Sequence, residues 1–168
     1  MSQADKLHAS TYLPTLIDRL QDDAPNIHTE PPHKYLFGTQ AMRSVIKRDL
    51  TLLLNTTNLS NAIDEKTLSA VASSVMNYGI PALSGEYIAD RNWIKVERMI
   101  RKAIVDFEPR LLPDSLSLRP LTDNANSNHY NILFFELNAL IHWSPYPLEF
   151  RIQSAFDLET AKVNFLKI

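Results

Sequence analysis

Apolar residues recur at helical spacing over the first two thirds of the chain and predict its helices. A short pattern, from Tyr12 to Leu20, precedes a proline-rich stretch at residues 24–35. Pro81 and Pro109 end two of the later patterns, because proline cannot continue a helix and disfavours helical geometry in the residue before it. The apolar positions of the three longer patterns are Met42, Val45, Ile46, Leu50, Leu53 and Leu54; Leu68, Val71, Ala72 and Val75; and Trp93, Val96, Ile100, Ala103, Ile104 and Phe107.

After Ser115 the hydrophobic period changes to two, which predicts strands at residues 115–119, 131–141, 148–156 and 162–166. Helices followed by an antiparallel succession of strands are typical of an α+β fold. We therefore expect about three core helices packed on one face of a small antiparallel sheet of three to four strands, with a short N-terminal helix. Residues 1–35 are predicted as an N-terminal docking helix and proline-rich linker, and residues 36–168 as one α+β domain.

Composition excludes several classes of function. The 17 Lys+Arg residues against 19 Asp+Glu provide no basic surplus for phosphate binding, so we expect no nucleic-acid partner. The absence of cysteine excludes thiolate nucleophiles, iron–sulfur clusters and cysteine zinc sites, and it suits a reducing compartment. No apolar run approaches the ~20 residues of a membrane span, so we expect no direct membrane insertion and a cytoplasmic location.

The sequence contains no recognisable catalytic motif. It has neither a Gly-x-Ser-x-Gly elbow nor a phosphate-cradling glycine loop, and its five histidines show no helical ligand spacing. We therefore predict no catalytic, cofactor or metal site and no enzyme. A glycosidase would need two carboxylates in one cleft, and spacing selects no pair among the candidates Asp106, Glu108, Glu136 and Asp157.

One segment at the junction of the last helix and the sheet carries opposite charges on either side of a proline. In Glu108-Pro109-Arg110, the proline ring restricts the relative geometry of the two charged side chains. One interpretation is a salt bridge that ends the helix, worth about 0 to 1 kcal/mol if exposed. The other is a rigid arginine fork presented to a partner protein.

An ordered set of motifs resembles the TssE family, the baseplate subunits of the bacterial type VI secretion system. The resemblance extends over about residues 12–165. The TssE family is in turn similar to the baseplate wedge proteins of contractile-tailed phages. Ala161 stands where relatives commonly have glycine. The motifs are SVIKRDL at residues 44–50, LLNT at 53–56, SVMNYGIPALSG at 74–85, FEPRL at 107–111 and FDLET at 156–160, together with the alternating strands that begin at Leu133 and Leu148.

The resemblance implies a structural role in a baseplate assembled against the inner-membrane complex. It implies partners in the wedge, the subunits TssF, TssG and TssK, and in the contractile sheath, the subunits TssB and TssC, whose arms would add strands to the sheet. Glu108-Pro109-Arg110 is the family signature for wedge contacts, and we add Arg48 and Arg101 as candidate partners of that corner. We expect Arg110→Ala to abolish wedge assembly with little change in melting temperature. The positions predicted for strand pairing are Leu148, Phe150, Ile152, Phe156 and Val163.

Two other functions stay open on the sequence. Phage relatives labelled lysozymes raise the alternative of a peptidoglycan-cleaving enzyme, although a cation as close as Arg110 is to Glu108 is unfavourable for a general acid. Anti-adaptors that bind a response regulator resemble the same fold and carry the same Glu-Pro-Arg signature. Plain core packing is the alternative interpretation of the side chains of Leu148, Phe150 and Phe156.

Overall fold

The computed structural model of the protein describes residues 15–20, 25–29, 38–64, 66–82, 93–121 and 132–166. Within these ranges, helices precede strands along the chain, as the sequence predicts. Four helices are α1 (Leu16–Leu20), α2 (Thr39–Leu54), α3 (Ser69–Ala72) and α4 (Trp93–Phe107), and two 3-10 turns lie at Val75–Asn77 and Pro113–Ser115. The strands are β1 (Ser117–Pro120), β2 (Ile132–Ile141), β3 (Leu148–Asp157) and β4 (Lys162–Phe165).

The fold is α+β, which confirms the predicted class, with a short N-terminal helix and a sheet of four antiparallel strands. Internal contacts divide the chain within α2 into residues 1–46 and 47–168, which are described separately. In the first unit, Leu16, Ile17 and Leu20 are exposed on α1. The predicted boundary at residue 35 stays a prediction, and residues 12–14 lie outside the described ranges.

The strands form a meander in the order β1-β2-β3-β4. Strands β2 and β3 pair along all ten residues of each, from Ile132 opposite Asp157 to Ile141 opposite Leu148. On β2 the alternating residues Phe135, Leu137, Ala139 and Ile141 are buried. This face forms the core side of the sheet, because successive side chains of a strand point to opposite faces.

Helix α4 buries the predicted apolar face against this side of the sheet. Val96, Ile100, Ala103 and Ile104 are buried, and the Trp93 ring lies 5.7 Å from the Phe135 ring, centroid to centroid. The helix ends at Phe107, immediately before the Glu108-Pro109 peptide bond that disfavours its continuation. None of the helices within the described ranges has the length and apolar character needed to cross a membrane.

The second predicted helix is much shorter than its apolar pattern indicates. Helix α3 stops at Ala72 and a separate 3-10 turn follows, so that Val75 is 80% exposed instead of buried. Ser73 Oγ donates to the Ser69 carbonyl, and Ser74 Oγ accepts the Met76 N–H. Such local serine bonds compete with the helix ladder and explain the break.

A parallel bridge between Thr57 and Ile80 closes the loop that contains α3. The Ile80 N–H donates to the Thr56 carbonyl at 2.9 Å, next to Gly79 at φ +117°. A Cβ atom at Gly79 would lie 2.2 Å from that same carbonyl oxygen, so the close approach of the two backbones requires glycine.

Candidate functional site

Glu108 is a buried carboxylate at the end of α4. Its N–H donates to the Ile104 carbonyl at 2.8 Å, and the residue is only 4% exposed. The Arg110 N–H approaches Glu108 Oε1 at 3.3 Å, across the turn that Pro109 fixes. A buried charge is stable only when it is paired and hydrogen-bonded, so the partner of Glu108 decides what this turn does.

Arg110 is that partner, and it joins Glu108 to α2. Its guanidinium donates from Nε to Glu108 Oε1 at 2.6 Å and from Nη2 to Glu108 Oε2 at 2.5 Å, a two-pronged contact. Nη2 also donates to Asp49 Oδ2 at 2.7 Å. Burial alone lowers the pKa of Arg110, but the hydrogen bonds and charges of Glu108 and Asp49 outweigh burial and raise it. The guanidinium therefore stays charged throughout the usual pH range.

Arg48 extends the network toward solvent. Its Nη2 lies 2.8 Å from Asp49 Oδ1, and its side chain is 43% exposed, compared with 27% for Arg110 and 4% for Glu108. The contacts therefore link four residues of alternating charge: Arg48, Asp49, Arg110 and Glu108. We call these four residues, together with Pro109, the docking corner.

Tyr78 lies beside the docking corner and stacks edge to face on Phe107, with ring centroids 5.3 Å apart. Burial raises the pKa of Tyr78, and the negative charges of Asp49 and Glu108 raise it further against the opposing effect of Arg110. Tyr78 belongs to the SVMNYGIPALSG motif, so two separate motifs of the sequence meet at this point.

Backbone hydrogen bonds fix the other side of the corner to the sheet. The His142 N–H donates to the Arg110 carbonyl, and the Leu112 N–H donates to the Leu140 carbonyl, each at 2.8 Å. Leu111 forms an antiparallel bridge with Ile141 at the end of β2. The corner is therefore held by α2, α4 and β2 at once.

The structure brings three of the five predicted wedge residues, Arg48, Glu108 and Arg110, into one network beside Pro109. Arg101 has different partners: it pairs with Glu97 on α4 and donates from Nη1 to the Leu116 carbonyl at 2.8 Å. Glu108 and Arg110 form a salt bridge with each other, which agrees with the first interpretation of this segment. Their role in wedge contacts stays a prediction.

Two residues with structural roles, Asp49 and Asn55, were not predicted as such from the sequence. Asp49 lies in the SVIKRDL motif and Asn55 in the LLNT motif, and both lie far along the chain from their partners, Arg110 and Val163. Asp49 lies on the polar side of α2, next to Leu50, and Asn55 follows Leu54 at the end of the helix. Neither position indicates, from helical spacing, a contact with a distant part of the chain.

The five residues predicted for strand pairing have side chains directed into the core. Phe150, Ile152, Phe156 and Val163 are buried and Leu148 is half-buried, as the core-packing interpretation proposes. The four members on β3 are in register with β2. Any pairing with a partner strand must therefore use the backbone of neighbouring residues on the outer sides of the sheet.

Two outer edges of the sheet are obstructed. On β1, Pro120 has no N–H to donate, and Arg101 occupies the Leu116 carbonyl just before the strand. On β4, the Asn55 side chain donates to the Val163 carbonyl at 2.9 Å and accepts the Val163 N–H at 2.8 Å. Side chains that occupy edge groups in this way prevent a further strand from pairing there.

One part of β3 is open on the side that faces β4. Strand β4 pairs only with Ser154–Asp157, and the Leu166 N–H adds one bond to the Gln153 carbonyl at 2.8 Å. Because hydrogen-bonding directions alternate along an antiparallel strand, Arg151 directs its N–H and carbonyl to the same side as Gln153. Among the residues that the structure describes, no strand lies against this side of β3 between Leu148 and Ile152.

The four carboxylates considered for a glycosidase are each engaged. Glu108 bonds Arg110, and Asp106 lies 3.3 Å from Lys102 Nζ. Hydrogen bonds from Asn138 and Arg151 lower the pKa of Glu136, and those from Thr160 and Glu159 lower the pKa of Asp157. A general acid needs a raised pKa, so the shifts at Glu136 and Asp157 have the wrong sign.

The similarity to known proteins agrees with this geometry. A family model described as baseplate wedge protein gp25 matches residues 40–146, which include α2, α4, β1, β2 and the whole docking corner. The chain belongs to the baseplate wedge protein gp25 family. This confirms the resemblance to baseplate wedge proteins found in the motifs.

No curated protein is significantly similar to the chain in sequence. Among solved structures, the chain is similar to one from "The baseplate complex from the type VI secretion system", at 16% sequence identity and a TM-score of 0.37. The similarity covers 77% of this chain and 96% of the other.

Proposed function

We propose that this protein is the wedge component of a type VI secretion baseplate, located in the cytoplasm against the inner-membrane complex, and that it initiates assembly of the contractile sheath. The observation that carries the proposal is membership of the baseplate wedge family over residues 40–146. The order of motifs described above favours the secretion family within it. On this proposal the partners are TssF, TssG and TssK in the wedge and TssB and TssC in the sheath.

The wedge contact is made by the outer part of the docking corner. Arg48 and the exposed Pro109 form its surface, and Arg110 is partly accessible between them. Glu108 is too buried to contact a partner, and it acts by holding Arg110 in place. A pre-oriented arginine loses little rotamer entropy on binding, which suits recognition of a carboxylate on another subunit.

The sheath contact is made by the open side of β3. A strand from a sheath subunit would pair with the Arg151 backbone and continue the line of β4, along the part of β3 that no described strand covers. Main-chain hydrogen bonds provide affinity in this mode, and alternating side chains fix the register. Arg101 occupies the Leu116 carbonyl at the β1 edge, and its predicted wedge contact, apart from the docking corner, stays a prediction.

A non-enzymatic role is favoured by the state of the carboxylates. Each candidate acid is held by a cation or by hydrogen-bond donors. The pKa values of Glu136 and Asp157 are lowered, whereas a general acid needs a raised pKa. Purified protein should therefore leave isolated cell wall intact. Turnover that disappears in Glu108→Gln would contradict this part of the proposal.

The test compares two surfaces by affinity purification and fluorescence microscopy in the native cell. Arg151→Pro removes the open N–H of β3 without removing a bond to β2, so it should stop sheath assembly while wedge subunits still co-purify. Arg151→Ala keeps that N–H and serves as the matched control, which should assemble sheath. Arg48→Glu should reduce wedge co-purification while the protein stays folded, with at most a small loss of stability.

Three outcomes contradict the proposal. Equal loss of wedge and sheath contacts in Arg151→Pro, in a folded protein, would show that the two surfaces are not separate. Loss of sheath assembly in Arg151→Ala would assign the contact to the side chain. Recovery of a response regulator in place of baseplate subunits would replace the proposal by the anti-adaptor function.

A further inference from the structure

A groove outside the docking corner and the sheet edges runs along α4. It has a volume of about 300 Å³ and lies between the helix and the loop closed by the Thr57–Ile80 bridge. From Lys95 to Asp106 it follows one stripe of α4, a length of about 16 Å at 1.5 Å per residue. An extended peptide of about five residues has the same length.

The loop wall of the groove is held together by internal hydrogen bonds that engage its asparagine side chains. Asn77 is 2% exposed, accepts the Leu59 N–H at 3.0 Å and donates to the Ala72 carbonyl and the Ser60 hydroxyl. Asn58 donates to the Gly79 carbonyl at 3.1 Å. With these amides engaged internally, the wall presents mainly apolar surface to an occupant. It also lacks the convergent polar groups that orient a small molecule.

The helix wall of the groove is basic. Lys95, Arg98 and Lys102 line it, against one carboxylate among the described lining residues, that of Asp106, in a chain whose net charge is -2. Lys102 pairs with Asp106 at 3.3 Å on the surface, where such pairs are weak and exchange readily. Met99 lies between the cations on the same stripe and adds a flexible apolar side chain.

We propose that this groove binds an acidic segment of a partner protein, which places apolar side chains against Met99 and the loop wall and carboxylates against Arg98 and Lys102. Charge complementarity identifies the occupant, because three cations beside an apolar floor match a peptide that alternates acidic and apolar residues. Three residues of the loop wall, Asn77, Gly79 and Pro81, belong to the SVMNYGIPALSG motif, of which Tyr78 lies beside the docking corner. The proposal does not depend on sheath initiation.

The test uses photo-crosslinking from the full-length protein in its native cell, with benzoylphenylalanine in place of Met99. Mass spectrometry should identify one crosslinked segment in another protein, rich in Asp and Glu. Arg98→Glu should reduce the crosslink on the order of tenfold, since like charges then face each other. Arg98→Lys should restore most of it. Arg119→Glu, the same charge change on β1, is the matched control and should leave the crosslink unchanged.

Other results would overturn the proposal. A crosslink to a segment without acidic excess, or to a second copy of this chain, would assign a different occupant to the groove. A crosslink that survives Arg98→Glu would exclude charge as its basis. The absence of any crosslink, in cells where the variant still assembles baseplates, would show that the groove is unoccupied. Circular dichroism of each variant establishes that the fold is intact.

Discussion

The side-chain amide of Asn55 pairs with both backbone groups of Val163 on the outer edge of β4. Nδ2 donates to the carbonyl at 2.9 Å, and Oδ1 accepts the N–H at 2.8 Å, between residues 108 positions apart. The amide has the same donor and acceptor as a backbone unit, so it takes the place of a neighbouring strand. One side chain thereby joins the end of α2 to the sheet and protects an edge from association.

Asn55→Ala should lower the free energy of unfolding by about 1 to 3 kcal/mol, because it leaves the backbone of Val163 without these bonds. It should also promote concentration-dependent self-association through the exposed edge. Urea denaturation and sedimentation velocity measure the two effects. Asn61→Ala, which removes one exposed bond to the Ala82 carbonyl, is the control and should cost less than about 1 kcal/mol. Equal costs would refute the edge-protecting role.

Arg110→Ala should destabilise the protein by about 2 to 4 kcal/mol, below the upper range for a buried pair because Arg110 is partly exposed. The substitution leaves Glu108 buried without its cation, so the structure predicts a loss of stability where the sequence alone predicts little change in melting temperature. Arg48→Ala removes an exposed partner and should cost about 0 to 1 kcal/mol. Urea denaturation of both variants at neutral pH provides the comparison, and similar values would contradict the assigned burial.

Gly79→Ala should cost more than about 2 kcal/mol, because the new Cβ meets the Thr56 carbonyl and φ is positive. Gly38 offers a matched control, since a Cβ there has nothing within 4 Å. Gly38→Ala should change stability by less than about 1 kcal/mol. Thermal unfolding of both variants tests the close approach of the two backbones.

Ala161→Gly should stabilise the protein by about 0.5 to 1 kcal/mol. Ala161 has φ +52°, in the left-handed region that costs other residues about 1 to 2 kcal/mol, and the greater unfolded-state entropy of glycine offsets part of the gain. Ala155→Gly, within β3, should instead destabilise by about 0.5 to 1 kcal/mol. A loss of stability in Ala161→Gly would show that the turn does not need this conformation.

Stability should fall in acid partly through Glu136. Hydrogen bonds from Asn138 and Arg151 hold the pKa of Glu136 below its ordinary value of 4.5. A lowered folded-state pKa contributes stability above the unfolded value, and this contribution is lost as the pH falls through the folded value. Glu136→Gln should therefore flatten the acid limb of a stability profile below about pH 5, where the unfolded carboxyl begins to bind its proton. An unchanged limb in Glu136→Gln would contradict the lowered pKa.

The helices and strands were predictable where one period dominated. Helix α4 has an uninterrupted apolar stripe that ends before Pro109, and β2 and β3 alternate over ten residues each. The short length of α3 was not predictable. The hydroxyls of Ser73 and Ser74 form local hydrogen bonds with the backbone that compete with the helix, and an apolar pattern contains no information about them.

The docking corner was predictable only in its local half. Glu108 and Arg110 are two residues apart, and the proline between them restricts their geometry, so the chain alone offered their salt bridge as one of two interpretations. The contact of Arg110 with Asp49 joins residues 61 positions apart and depends on how α2 lies beside the turn. The obstruction of β4 by Asn55 likewise depends on tertiary contacts. So does the side of β3 that the described strands leave uncovered, because β4 pairs with only four residues of β3.

The sequence by itself therefore determined most of the secondary structure, the fold class and the family, since each depends on periodicity and on motifs along the chain. Only the tertiary structure decided which charges are buried, which sheet edges are obstructed and where a basic groove forms. The physical reason is that local backbone preferences are encoded by neighbouring residues, whereas burial and pairing depend on side chains brought together from distant positions. Arg110 and Asn55 show this most clearly, because their partners lie on elements that no spacing rule connects.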